Sequence, residues 1–416
     1  MLFSLVAPAV HGGVASEWNE VLAQHRSLAD VFYTPPLEAR LHASMHLAMA
    51  EALRDAQGSA VRGRASEATQ RAALAAAAEA IVVEWLPGSR IRAEALAARQ
   101  LAGIPEGAEK AKGLACGRAA AARVLATRAG DRWIEIMGLS SAEGPVPDRS
   151  ANEVQRLARG ESELLSPWLA VAPLTLKSVE KIKVEVPAYT AMDGTVRVNY
   201  WLRESKLFAA VDRTVAPQML AQTWSERPVV AWNRVAQLVA EGRGLGLEAE
   251  TRLFATLNLA LADATISALH WRYTLGSWRT QFVQIWGDAR TTPVGATDIL
   301  APAMIDGING GTARAEMRRM LIPPLINYPS VTATLAGAAQ AAMIECLKGD
   351  RTGFTIELGG GSEPRSRSFG GIEEAARESA LVATFDGRHT REAAIAGHKL
   401  GLGVGREAAK RFASGR

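Results

Sequence analysis

Alanine-rich helical segments joined by short connections fill the first third of the chain and restrict it to a helical fold, since alanine is the best helix former. Over residues 37–57 the apolar side chains recur on one helical face, and Pro35 and Pro36 precede them, where proline is tolerated. Four helices with short connections are typical of an α-bundle. We therefore predict an N-terminal helical bundle over residues 1–130. The other three predicted helices are 65–86, 89–103 and 107–129.

A different composition follows, because Gly, Pro and Ser are frequent around GLSSAEGPVPDRS. A short β-like alternation appears in VEKIKVEVPAYT. We predict an irregular connecting segment over 131–203, a second helical part over 204–416, and one short strand within 350–369. The helical patterns of the second part are 204–224, 228–242, 247–278, 330–347, 370–384 and 389–413.

Charge and hydropathy exclude several classes of protein. The formal net charge is +4, and the 47 basic and 43 acidic residues are mixed along the chain. No basic block indicates a nucleic-acid partner. The sequence has no uninterrupted apolar run of about 18 residues, so no transmembrane helix is predicted. Cys116 and Cys346 are predicted to be free thiols, because they lie far apart inside helical patterns.

The N-terminal stretch MLFSLVAPAVHGGVAS leaves two interpretations open. It has a short apolar run but no basic residues before it, so it could be a truncated export signal or a segment packed on the body. We favour the packed segment. A soluble protein is therefore expected, with a cytoplasmic location favoured over an exported one.

Two arginines, a serine and a histidine in the C-terminal half suit a bound tetrahedral anion. Arg272 and Arg279 are seven residues apart on one predicted helix, close to two turns, so both guanidinium groups leave the same face. Two such arginines can bind an oxyanion. Ser330 lies at a helix start, where amides also bind anions. His389 begins the last helical pattern, and Asp386 lies close enough in sequence to tune its charge.

Each of these residues also has a purely structural interpretation. The arginine pair could end a solvated helix, Ser330 could be a helix cap, and a lone histidine is more often packed or exposed than a ligand. The strongly apolar segment before Arg272 favours an interior cleft. His42 and His46 share a helical face, a spacing that can bind a metal, but no third ligand is evident, so we interpret them as a helix-face pair.

Taken in order, these fragments resemble the vanadium-dependent haloperoxidases, which share a fold and pocket with type 2 phosphatidic acid phosphatases and bacterial acid phosphatases. RLHASMHLAMAEAL resembles the family's first conserved helix, and ETRLFATLNLALADATISALHWRYTLGSWRT resembles a core helix. LIPPLINYPSVTATLAGAAQAAMIECLKGD is similar to its serine-bearing segment, and SFGGIEEAARESALVATFDGRHTREAAIAGHKLGLGVG to its last motif. The resemblance covers most of the chain. It implies an all-α fold of two four-helix-bundle halves with a long irregular connection and a pocket in the C-terminal half.

The resemblance assigns four pocket positions that keep a suitable side chain. The family's pocket has the form Lys-x6-Arg-Pro, Pro-Ser-Gly-His and Ser-Arg-x5-His. Arg272 stands at the lysine position and Arg279 at the first arginine position. Ser330 matches the serine, and His389 matches the histidine that ligates vanadium in the family.

Three other positions depart from the family's pattern. Val331 replaces the glycine that lets the backbone approach the anion, and Thr332 replaces a histidine that transfers protons. Ala383 stands at the second arginine position. Each lost charge-assisted hydrogen bond to vanadate is worth about 1.5–3 kcal/mol, so we expect only weak binding of vanadate or phosphate. No cofactor is therefore expected.

Three functions remain as hypotheses. The first is a metal-independent isomerase or cyclase, by analogy with haloperoxidase-like proteins that catalyse rearrangements in bacterial natural-product pathways. His389 would be the acid and base, assisted by Asp386, while Arg272 and Arg279 would stabilise negative charge. Ser330 and Thr332 would contact the substrate.

The second hypothesis is a variant vanadium-dependent haloperoxidase or acid phosphatase, in which His389 ligates vanadate. The third is a non-catalytic binding or scaffold protein. In each case the expected partner is a small molecule rather than nucleic acid. A homodimer is an expectation from the resemblance alone.

Overall fold

The chain folds into an all-α structure with one small β-hairpin. This computed structural model describes residues 13–24, 35–58, 64–131, 171–186, 220, 223–224, 227–275, 328–358, 365–385 and 390–414. Those ranges contain ten α-helices and two strands. The bounds are α1 Val14–Ala23, α2 Pro35–Gly58, α3 Glu67–Trp85, α4 Arg90–Ala102, α5 Ala108–Arg128, α6 Pro228–Gly242, α7 Leu247–Thr274, α8 Val331–Leu347, β1 Phe354–Leu358, β2 Arg365–Phe369, α9 Ile372–Phe385 and α10 Arg391–Ala413.

Helices α2 to α5 form the N-terminal bundle. Helix α2 packs against α3 and α5, and α3 packs against both α4 and α5. Ser66 starts α3 because its hydroxyl accepts the amide of Thr69 at 3.2 Å, which caps the helix. Helices α3 and α5 approach closely, since a Cβ on Gly113 would overlap the carbonyl oxygen of Thr69. Glycine thus sets the spacing of this helix pair.

Helices α7 to α10 form the C-terminal bundle. Helix α8 packs against α7, α9 and α10, and α6 covers α7 and α8. The α8–α10 pair is equally close, because a Cβ on Gly401 would overlap the carbonyl oxygen of Thr334. Helix α7 also packs on α2 and joins the two bundles into one hydrophobic core. Its span Leu247–Arg272 is long and apolar enough to cross a membrane. However, 94% of the most apolar stretch of this span is buried inside the protein, as in a core helix.

Residues 171–186, which we call the strap, run along α7 without forming a strand. The β-like alternation of VEKIKVEVPAYT forms no strand over residues 179–186, where the structure has a 3-10 turn at Val179–Lys181 followed by irregular backbone. Buried Asp263 holds the strap by accepting the amides of Thr175 at 2.7 Å and Leu176 at 3.0 Å. These tertiary hydrogen bonds replace the ladder of a sheet.

Two further expectations differ from the structure. A two-stranded antiparallel hairpin, β1 with β2, stands where one short strand was predicted, and Phe354 pairs with Phe369 in it. Helix α1 was not predicted; its Glu17 and buried Trp18 both bond to Gln100 of α4. The predicted helix 204–224 lies outside the described residues except for positions 220, 223 and 224. The division into domains stays a prediction.

Candidate functional site

The end of α7, the starts of α8 and α10, and the strap meet at one place in the C-terminal bundle. Tyr328 and Ala393 form a small buried cluster against which Leu275 and Val184 pack. The amide of Ser330 donates to the carbonyl oxygen of Ala393 at 3.0 Å, which fixes the start of α8 on the first turn of α10. The predicted pocket elements are thus neighbours in space.

Ser330 is fully buried and is the N-cap of α8. Its hydroxyl oxygen accepts the amide of Ala333 at 3.3 Å, and its carbonyl oxygen accepts the amide of Thr334 at 2.9 Å. The serine therefore satisfies first-turn donors that an anion would otherwise contact. The structural interpretation of Ser330 as a helix cap is confirmed.

Val331 and Thr332 form the rest of the first turn and are half-buried. The Val331 side chain packs against the hydrophobic core. Within the described part of the chain, the amides of these two residues donate to no backbone acceptor outside a helix. They lie at the positive end of a 17-residue helix, so an anionic group is favoured there.

Arg272 lies in the last turn of α7 and is only 8% exposed. A cation at a helix C-terminus is favoured by the helix dipole. Its neighbour Trp271 donates its indole N–H to the carbonyl oxygen of Ile182 in the strap at 3.0 Å, and Leu275 packs against Tyr328. The helical turn that carries Arg272 thus lies between the strap and the start of α8.

Three predicted pocket residues lie outside the described residues, namely Arg279, Asp386 and His389. The residue after His389 is described: Thr390 is the buried N-cap of α10, and its hydroxyl accepts the amide of Ala393 at 3.1 Å. The chain therefore enters α10 beside Ala393, whose carbonyl oxygen bonds Ser330.

Sequence reasoning missed three residues near this place. Tyr328 is buried and donates its hydroxyl to the carbonyl oxygen of Glu185 at 2.6 Å; burial, with Glu392 and Glu185 nearby, raises its pKa. The His270 ring stands edge-on to Trp271, with ring centroids 5.3 Å apart. The Nζ of Lys183 lies 5.6 Å from the Trp271 ring centroid. Of these three residues, only Tyr328 had a sequence signal, because it lies two positions before Ser330.

The His42–His46 pair is buried in the N-terminal bundle, far along the chain from the pocket. The Oδ1 of Asn19 lies 3.1 Å from His42 Nδ1 and 2.7 Å from His46 Nε2, so both rings donate to one amide oxygen. Burial lowers the pKa of His46 to about 3 and that of His42 well below its usual value, the latter with help from His46 and Arg227. The described residues contain no group of three His, Cys, Asp or Glu that could hold a metal ion.

Comparisons with known proteins agree with this geometry. Residues 252–415, which include α8, α9 and α10, match a family described as "VCPO second helical-bundle domain". No curated protein sequence matches the chain significantly.

Solved structures similar to the whole chain extend the agreement to both bundles. A holo-type bacterial vanadium-dependent chloroperoxidase has a TM-score of 0.67 at 15% identity, with 95% of this chain and 96% of that chain covered. Its apo-type counterpart has a TM-score of 0.66 at 13% identity, with 95% and 98% covered. A bacterial vanadium-dependent iodoperoxidase has a TM-score of 0.61 at 16% identity, with 96% and 95% covered.

The chain therefore has the fold of the vanadium-dependent haloperoxidases. Its residues 252–415 are similar to the VCPO second helical-bundle domain. The all-α fold predicted from the resemblance is confirmed.

Proposed function

We propose that this chain is an enzyme of the haloperoxidase fold that catalyses an acid–base reaction on an organic substrate, a rearrangement or cyclisation, without vanadate. The substrate would carry a carbonyl or another group that develops negative charge. The proposal rests on the start of α8. The first turn of this helix can bind an anion, but it contains no side chain that transfers protons.

The first turn of α8 fits vanadate poorly. A tightly bound vanadate would need several charge-assisted donors around it. Ser330 uses its hydroxyl oxygen to cap Ala333, and the next two side chains are Val331 and Thr332, neither of which carries a charge. Arg272 is the one described cation on the adjoining turn of α7. The proposed reaction therefore does not use vanadate.

In the proposed reaction the cations stabilise charge and the histidine moves the proton. Arg272, with Arg279 on the same predicted face, would stabilise the developing oxyanion together with the first-turn amides of α8. His389, which directly precedes the N-cap Thr390, would remove a proton and return it elsewhere on the substrate. Asp386 would tune that imidazole.

A variant haloperoxidase or acid phosphatase is the second candidate. Two observations favour it. The cation Arg272 is buried at the lysine position, and the similar solved structures are named as chloroperoxidases and an iodoperoxidase. Stoichiometric vanadium in the protein, with oxidation of bromide or iodide by hydrogen peroxide, would favour this candidate.

Exchange of α-protons tests the proposed acid–base chemistry without knowing the natural substrate. A panel of small hydroxyketones is incubated with the protein in D2O, and loss of the α-proton signals is followed by NMR. We expect exchange by the wild type and a loss of about 100-fold or more in His389→Ala, the contribution typical of a positioned acid or base.

The matched control is His398→Gln, which removes an imidazole within α10, one whose Nε2 lies 2.8 Å from Gln340 Oε1. It should exchange protons at the wild-type rate. Full exchange in His389→Ala would contradict the proposed role of that residue. Absence of exchange and of halide oxidation in the wild type would favour a non-catalytic binding protein.

A further inference from the structure

The strap is fixed to the rim of the candidate pocket by two buried side chains. Trp271 donates to the carbonyl oxygen of Ile182 at 3.0 Å, and Tyr328 donates to the carbonyl oxygen of Glu185 at 2.6 Å. Trp271 is 8% exposed and Tyr328 is 1% exposed, so both donor side chains are buried. The backbone between these two bonds therefore has a set position beside the turn that carries Arg272.

Between those two anchors, the strap alternates inward and outward side chains. Ile182 and Val184 are half-buried and pack against the hydrophobic core, and Val184 also contacts the Tyr328–Ala393 cluster. Lys183 is exposed and places its Nζ over the indole ring of Trp271, at 5.6 Å from the centroid. A cation over an aromatic face is held there by the ring quadrupole.

The neighbouring charges of the strap contact other groups. Lys181 pairs with Glu407 at 2.8 Å. Glu180 lies 3.9 Å from His270, and Glu185 lies 3.8 Å from Lys399. In the part of the chain that the structure describes, Lys183 has no carboxylate within ion-pair distance. Among the described residues, no opposite charge therefore offsets that of Lys183.

We infer that Lys183 is an additional cation of the anion site formed by the Arg272 turn of α7 and the start of α8, and that the strap holds it there. It would contact an anionic group of the substrate, such as a carboxylate or phosphate, and so favour acidic substrates. The inference rests on the proposed function, since it assigns Lys183 to the same pocket.

Inorganic phosphate is the probe, titrated into the full chain at constant ionic strength and followed by the line width of its 31P signal. We expect millimolar binding by the wild type and about tenfold or weaker binding by Lys183→Gln, the loss expected for one charge-assisted contact. Lys183→Arg keeps the charge and should retain most of the affinity.

Lys177→Gln is the matched control, because it removes the same charge from the exposed surface of the strap near the Asp263 anchor. Arg272→Gln reports on the pocket itself. Equal phosphate affinity in Lys183→Gln and Lys177→Gln, with weaker binding in Arg272→Gln, would overturn the role of Lys183 and leave the pocket intact. Absence of phosphate binding, or binding that ignores Arg272, would overturn both the pocket and the inference.

Discussion

Ser330 provides a hydrogen-bond acceptor for the first turn of α8, because its buried hydroxyl oxygen accepts the amide of Ala333. Replacing this N-cap by alanine leaves that amide without its acceptor, so Ser330→Ala should lower the free energy of unfolding by about 1 kcal/mol, and up to about 2. Urea unfolding measures the change. Ser414→Ala removes an exposed serine at the end of α10 and should stay close to wild type. An unchanged stability of Ser330→Ala would contradict the cap.

Gly401 is required by the close approach of α8 and α10. A methyl group there would overlap the carbonyl oxygen of Thr334, which the helix backbone holds in place. Gly401→Ala should therefore destabilise the protein by about 1–3 kcal/mol through overpacking. Gly103→Ala is the control: nothing lies within 4 Å of its added Cβ. That variant should change the unfolding free energy by less than about 0.5 kcal/mol. Equal effects in both variants would contradict the close helix contact.

At the scale of elements, Asp263 of α7 fixes the strap. It accepts the amides of Leu174, Thr175 and Leu176 as well as the hydroxyl of Thr175, and its own pKa is raised mainly by burial. Asp263→Ala would leave three amides without an acceptor, at about 1–3 kcal/mol for each that stays buried.

Hydrogen exchange is the direct measurement for this element. In Asp263→Ala the amides of Leu174, Thr175 and Leu176 should exchange faster by at least about tenfold, because their acceptor is gone. Asp350→Ala is the control, since Asp350 accepts the amides of Ile372 and Glu373 in α9 instead. It should leave strap exchange unchanged. Wild-type exchange at the strap in Asp263→Ala would contradict the anchor.

The docking of α1 on α2 should depend on pH through His42 and His46. The folded state lowers the pKa of both imidazoles, so it excludes the proton that the unfolded chain accepts at about pH 6.5. Their contribution to stability is complete above that pH and is lost as the pH falls toward 3. Since one pKa unit corresponds to about 1.4 kcal/mol, His46 alone accounts for a loss on the order of several kcal/mol.

His46→Phe tests this dependence, because it keeps a ring that can stack beside Phe254 and cannot titrate. The fall in unfolding free energy between about pH 6.5 and 4 should be smaller in this variant than in wild type. His270→Phe, on a half-buried ring near the pocket, serves as the matched control. Identical pH slopes for wild type and His46→Phe would contradict the buried neutral pair.

At the scale of the whole molecule, the helices could be predicted from sequence and the strap could not. The predicted helix 228–242 matches α6, and most other helices differ by only a few residues, because their apolar periodicity and caps are local signals. The strap depends on Asp263, Trp271 and Tyr328, which are distant in sequence. Its alternation of Ile182, Lys183 and Val184 imitates a strand while tertiary contacts hold irregular backbone.

The sequence could suggest only those residues of the candidate site that lie in recognisable motifs. Arg272 and Ser330 were proposed as site residues from spacing and resemblance, and the structure brings their elements together. Arg279 and His389 stay predictions. Lys183 was missed because its proximity to Trp271 arises only when the strap lies across α7.

Vanadate binding by calorimetry tests the central claim most directly. Wild type is compared with the double variant Thr332→His/Ala383→Arg, which restores an imidazole and a guanidinium to the positions that the resemblance assigns. We predict no micromolar binding by wild type and measurable binding by the double variant. Micromolar or tighter binding of vanadate by wild type would contradict the account and identify the pocket as that of a variant haloperoxidase.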